Sequence, residues 1–130
     1  MEIRSLHLVL LDGLFVICKL PPDADLPAWA ITSRIFSVTR TAEELSVVCP
    51  QAQVPAGVRS EPGWRCFRVA GTMDFSEIGV LASLVAPLAA KDISVFALST
   101  FDTDYVLVKE EDLERAKAVL CQAGHVFVSL

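Results

Sequence analysis

Short apolar runs separated by turn residues fill most of the first fifty residues. Leu6 to Leu11 and Leu14 to Leu20 are apolar runs separated by Asp12-Gly13, a turn dipeptide that predicts a β-hairpin. Pro21-Pro22-Asp23-Ala24-Asp25 ends that pairing. From Arg34 to Arg40, Ile35, Ser37 and Thr39 alternate with Phe36 and Val38, and Leu45 to Cys49 is a short apolar run before Pro50. Two further strands are predicted there, with Thr41 to Glu44 turning the chain between them. Gln51 to Gly63 combines Pro55, Gly57, Pro62 and Gly63 with no apolar periodicity, and reads as a linker.

Beyond the linker the period changes from two to 3.6 and back. Trp64 to Ala70 predicts a strand, and Leu81, Leu84, Val85 and Leu88 fall at helical spacing. Asp74 reads as the N-cap of that helix with Glu77 as its capping-box partner, and Pro87 predicts a kink or an end. Ile93 to Ser99 and Asp104 to Lys109 predict two strands joined by a tight turn. Glu110, Glu111 and Asp112 open a second helix, whose buried stripe is Leu113, Ala116 and Leu120. Gly124 supplies a left-handed stop before Val126-Phe127-Val128. The βαββαβ order predicts an α+β, ferredoxin-like unit over residues 61–130: a four-stranded antiparallel sheet with both helices on one face. Residues 1–60 form a strand-rich unit before it.

Composition adds an expectation about assembly. A chain of 130 residues with 53% hydrophobic residues and a mean hydropathy of +0.51 is apolar for its size, so a homodimer covering part of its surface is expected. The net charge of −5, with Lys and Arg scattered singly, provides no basic stripe for nucleic acid and no attraction to an anionic membrane. Leu6 to Cys18 followed by Ala28-Trp29-Ala30 imitates a signal peptide, but Asp12-Gly13 breaks the apolar core, and a cytoplasmic protein is expected. The four cysteines have no CxxC spacing and only His7 and His125 accompany them, so neither a metal site nor a disulfide framework is legible. No GxSxG, P-loop or dinucleotide motif is present; no cofactor is implied, and the chain is not expected to be an enzyme.

A few residues carry candidate chemistry. The strand-to-helix loop from Gly71 to Ser76 offers backbone N–H groups to a carboxylate, although Asp74 and Glu77 serve equally as a local capping pair. Glu77, Asp102 and Asp104 would make an acidic pocket for a cationic group, or be solvated turn acids. Phe101 beside Thr100 offers an aromatic wall and a hydroxyl, or a lid on the core. Ser94 and Val95 are ordinary strand residues unless their strand lies at a sheet edge, where free backbone groups take partners.

The run from Asp74 through Gly79-Val80-Leu81 to Lys91-Asp92-Ile93-Ser94-Val95 resembles the ACT domain. Ala86-Pro87-Leu88-Ala89, Leu98-Ser99-Thr100-Phe101 and Thr103-Asp104-Tyr105 with Val106-Leu107-Val108 are most similar to small bacterial ACT proteins and the cytosolic arginine sensors of the CASTOR type. Ile35 to Thr41 resembles the divergent ACT-like unit that precedes the module in those sensors. The resemblance implies a regulatory protein that binds an amino acid or related metabolite at a subunit seam and acts on a protein partner. It places Ser94 and Val95 on one side of the seam and Glu77, Thr100, Phe101 and Asp104 on the other. It also puts Asp74 in a loop where a smaller residue would leave the ligand more room. With one convincing module per chain, such a seam requires a homodimer. The alternative is a ligand-free interaction module.

Overall fold

The computed structural model describes residues 5–71 and 78–129. The chain divides into two compact units: a composite one of Met1–Asp12 with Arg65–Leu130, and a middle one of Gly13–Trp64. Residues 5–12 thus pack with the C-terminal half rather than with residues 13–60.

The middle unit contains β2 (Phe15–Leu20), a 3-10 turn at Ala28–Ile31, β3 (Ser37–Arg40), β4 (Leu45–Pro50) and the start of β5 (Ser60–Val69). Pairing is antiparallel in the order β3-β4-β2-β5. Alternation puts Val16 and Cys18 of β2 on the same face as Val47 and Cys49 of β4, and these four bury together with Ala30. The Gln51 to Gly63 stretch is not wholly a linker, because β5 begins at Ser60 and runs through Pro62 and Gly63. The register explains how: Phe15 faces Trp64 and Ile17 faces Glu61, so β5 carries one extra residue, and a bulge accommodates both breakers. The Gly63 N–H donates to Gln51 Oε1 at 2.7 Å, and the Trp64 indole N–H spans the bulge to the Glu61 carbonyl at 3.0 Å.

The composite unit runs β1 (His7–Leu10), the second half of β5, α1 (Val80–Ala90), β6 (Val95–Ser99), β7 (Asp104–Lys109), α2 (Leu113–Gln122) and β8 (Val126–Phe127). The fold is α+β with the expected βαββαβ order, but its sheet has a fifth strand. β1 lies between β5 and β8, antiparallel to the first and parallel to the second, giving the order β6-β7-β5-β1-β8. The expected hairpin across Asp12-Gly13 is therefore corrected: β1 and β2 each pair with their own stretch of β5. The dipeptide marks a break between two strands without folding one onto the other. The three acids Glu110 to Asp112 form a 3-10 turn that leads into α2.

Leu8, Phe67, Val69, Val106 and Val108 project from one face of this sheet onto Leu84 and Leu88 of α1 and Leu113, Ala116 and Leu120 of α2. Both helices cover that one face, as the periodicity implied. Helix α1 starts at Val80 with Gly79 as N-cap at φ +81 and no acid in its first turn. The capping pair expected of Asp74 and Glu77 is thus corrected for the helix observed, and both residues lie outside the described ones. The two helices end alike. Asp92 N–H bonds to the Ala89 carbonyl and Ile93 N–H to that of Leu88, both at 3.0 Å; Gly124 and His125 repeat the pattern on Cys121 and Leu120. Gly124, at φ +101, is the left-handed stop that the sequence implied.

The second of these turns delivers His125 into the core, where it is 2% exposed. Pro87 does not end α1, which continues to Ala90, but it has no N–H for the carbonyl of Ser83. His125 Nε2 lies 3.0 Å from that oxygen, and Nδ1 accepts the Leu6 N–H at 3.1 Å. The two roles together require the neutral imidazole with its proton on Nε2. Replacing His125 with Leu should cost about 2–4 kcal/mol in urea unfolding, because it orphans a buried carbonyl and a buried N–H. In a Pro87→Ala background the restored helical N–H serves Ser83, so the cost of His125→Leu should fall by about 1 kcal/mol in the double-mutant cycle.

Three cysteines are buried and the fourth is not. Burial pushes the Cys66 thiol up to about 12 and raises that of Cys18; burial first, and then the neighbouring Cys18, pushes Cys49 up to about 11. Cys121 is exposed. A chromogenic disulfide reagent should titrate one thiol in the native protein and four after unfolding. The unfolded thiols ionise first, so this contribution to stability is intact below their ordinary value of 9.0 and declines as pH rises towards 11–12. Urea unfolding measured from pH 8 to about pH 10.5 should show that fall, and Cys66→Ala should flatten it.

Candidate functional site

The candidate residues fall at the two ends of one edge strand. β6 pairs with β7 alone among the described strands, in a register running from Val95 opposite Val108 to Ser99 opposite Asp104. Exposed Ser94 and half-buried Val95 stand at its start, set there by the turn in which buried Ile93 closes α1. Thr100, Phe101 and Asp104 stand at its far end. Six residue steps of extended chain run from Ser94 to Thr100, a span of about 20 Å. One chain therefore does not bring the two groups together. Asp74 and Glu77 lie outside the described residues.

The far end is a rigid turn. Thr100 N–H donates to the Thr103 carbonyl at 2.8 Å, and Thr100 Oγ1 accepts the Thr103 N–H at 3.2 Å. Buried Thr103 donates its hydroxyl to the Val69 carbonyl at 2.8 Å, which ties the tip of the hairpin to the end of β5. These bonds leave Phe101 77% exposed at the apex, so it is no lid on the core. Asp102 is exposed as well. Asp104 turns inward to 7% exposure, where its Oδ1 accepts the Ser99 hydroxyl at 2.6 Å. Asp102 and Asp104 consequently do not form one solvated acidic pair: one faces water and the other is held against the sheet.

Sequence reasoning passed over Ser99 and Thr103 as site-building residues. A hydroxyl beside each end of a four-residue turn, with an acid directly after it, was the available signal. The arrangement offers an exposed aromatic face, a hydroxyl and an anchored carboxylate at one end of edge strand β6, which runs to Ser94 and Val95 at its other end. No cluster of three or more His, Cys, Asp or Glu that could hold a metal occurs among the described residues. Nor is any described helix long and apolar enough to cross a membrane.

Comparison with known proteins agrees with this architecture. A family model described as the ACT domain matches residues 59–122, and a second, described as the N-terminal domain of its own family, matches residues 13–57. The crystal structure of a protein from Agobacterium tumefaciens superposes with a TM-score of 0.93 at 38% identity, covering 98% of this chain and 96% of that one. The human cytosolic arginine sensor for mTORC1, subunit 1, is 41% identical over 58 residues, taking in 44% of this chain but only 18% of the sensor. The chain therefore spans less than a fifth of the length of that sensor. An aspartate kinase from Clostridium acetobutylicum shares the fold at 12% identity and a TM-score of 0.64, over 95% of this chain and 36% of its own.

Ser99→Ala should cost about 1–3 kcal/mol, because it strips a buried carboxylate of a hydrogen bond, whereas Asp102→Ala should change stability by less than about 0.5 kcal/mol. Urea unfolding of the two variants checks the contrast.

Proposed function

We propose that this chain, which belongs to the ACT-domain family, is a regulatory protein that binds an amino acid or similar small metabolite between two copies of itself. The observation that supports this most is the division of the candidate residues between the two ends of edge strand β6. Two β6 edges meeting antiparallel about Ala97 would set Ser94 of one copy opposite Thr100 of the other. Each seam would then join Ser94 and Val95 to Phe101 and Asp104 across it, twice per dimer. Glu77 and Asp74, outside the described residues, would serve the same side as Phe101 on this reading.

The chemistry suits a ligand with a polar backbone and a cationic or aliphatic side chain. Strand-edge N–H and C=O groups at Ser94 and Val95 would hold the backbone, while Phe101 would face the remainder with the Asp104 carboxylate, held inward by Ser99, behind it. The arginine sensor among the relatives makes arginine the first ligand to try. Binding would act by linkage, stabilising the dimer and changing what it presents to a protein partner in the cytoplasm. It involves no catalytic step.

Thermal melts against the twenty amino acids test the reading. A ligand at about 100 times its dissociation constant adds about 2.7 kcal/mol, which raises Tm by several degrees. Phe101→Ala should abolish the shift while leaving the ligand-free melt in place, since that ring is exposed. Ala97→Asp should weaken dimerisation at least about tenfold in sedimentation, because two like charges would meet at the two-fold axis. A dimer that forms with no melt shift from any amino acid would favour the interaction module over the sensor.

A further inference from the structure

The composite unit holds a cavity of about 590 Å³ that shares no residue with β6 or its hairpin. It is lined by Leu10, Leu11 and Asp12 at the end of β1, Arg68 on β5, Lys117 on α2, and Phe127 with the residues after it. This volume is in the range of small-molecule sites. The cavity exists because β8 stops at Phe127 while β1 continues to Leu10. Among the described residues, the last bond on that side of β1 is from the Val128 N–H to the Leu8 carbonyl, at 2.8 Å. Leu10, two residues further, directs its backbone to the same open side.

Its charges lack strong internal partners. Arg68 makes no ion pair or side-chain hydrogen bond among the described residues. Among the described residues Lys117 pairs with Glu114 alone, at 3.8 Å, and that carboxylate is 85% exposed, so the pair holds it weakly. The Lys117 ammonium instead sits 5.9 Å from the centre of the Phe127 ring, which keeps it at the cavity wall. Two cations and one carboxylate thus surround a partly apolar space. A purely anionic ligand would satisfy Arg68 and Lys117 but meet Asp12 unfavourably; a ligand carrying both signs would answer all three.

We propose that this cavity binds a small amphoteric carboxylate. Its carboxylate is held by Arg68 and Lys117 with the Leu10 N–H, and its cationic end faces Asp12. The site lies within one chain and stands independently of the seam between copies.

Amide NMR titration of the full chain with glutamate, succinate and putrescine tests it. Glutamate should give saturable shifts at the amides of Leu10, Leu11, Lys117 and Val128, and putrescine none. Arg68→Gln and Lys117→Met should each weaken glutamate about tenfold, the loss of one charge-assisted contact, with Tm unchanged. Asp12→Asn should weaken glutamate and spare succinate. Phe101→Ala should leave these shifts intact, which separates failure here from failure of the seam. The proposal is overturned by the absence of saturable shifts up to about 10 mM, in the range where a single salt-bridged contact is measurable. It is equally overturned by shifts indifferent to Arg68 and Lys117, or by glutamate binding that ignores Asp12.

Discussion

The composite unit depends on one buried relay, from the Leu6 N–H through the His125 ring to the carbonyl of Ser83. Its three members belong to the start of the chain, the end of α2 and the middle of α1. Without it, Pro87 would leave an unsatisfied carbonyl facing the core, at a cost comparable to a lost hydrogen bond. With it, the same proline becomes the reason that α1 is fastened to the strand after α2. The relay also fixes where β1 begins. Leu6 donates to the ring and its carbonyl receives the Val126 N–H at 2.9 Å, so β1 enters the sheet at the one place where β8 can pair with it.

That entry turns a four-stranded plan into a five-stranded one, and the sequence could not have announced it. Period and burial in Leu6 to Leu11 are those of any buried strand, and a dipeptide such as Asp12-Gly13 favours a hairpin on local grounds. The partner was decided by non-local contacts: Leu8 and Phe67 bury in the same core, and a long β5 is available to both strands flanking the dipeptide. The bulge at Pro62-Gly63 escaped for a related reason. Breakers read as a linker when taken alone, and only the register with Phe15 and Ile17 shows that β5 absorbs them.

Where local chemistry sufficed, the reading was sharper. The βαββαβ order, the stripes of both helices and the stop at Gly124 follow from spacing and from the conformational freedom of one residue. For the candidate site, the sequence offers residue types but not their geometry. Phe101 and Asp104 are three residues apart, yet one is held out and the other in by hydroxyls on Thr100, Thr103 and Ser99. The alternation of a strand says which side a residue takes; it does not say which turn hydroxyl will claim a carboxylate. His125 was equally hidden, because its partner is a carbonyl whose need arises from a proline 38 positions earlier.

The hairpin's rigidity bears on how the proposed seam would respond to a ligand. A ligand at a mobile tip must first order the tip, and that cost reduces its affinity. Here Thr103 already ties the tip to Val69, and Ser99 already orients the Asp104 carboxylate, so the far half of the proposed site would be formed before binding. The half at Ser94 and Val95 is set by buried Ile93 in the same way. What a single chain lacks is proximity, since about 20 Å of strand separates the halves. On the proposed reading almost all of the ligand's differential affinity would then fall between monomer and dimer, with little left to remodel either hairpin. A sensor built so reports concentration through assembly, and the coupling is reciprocal: whatever strengthens β6 pairing tightens the ligand by the same factor.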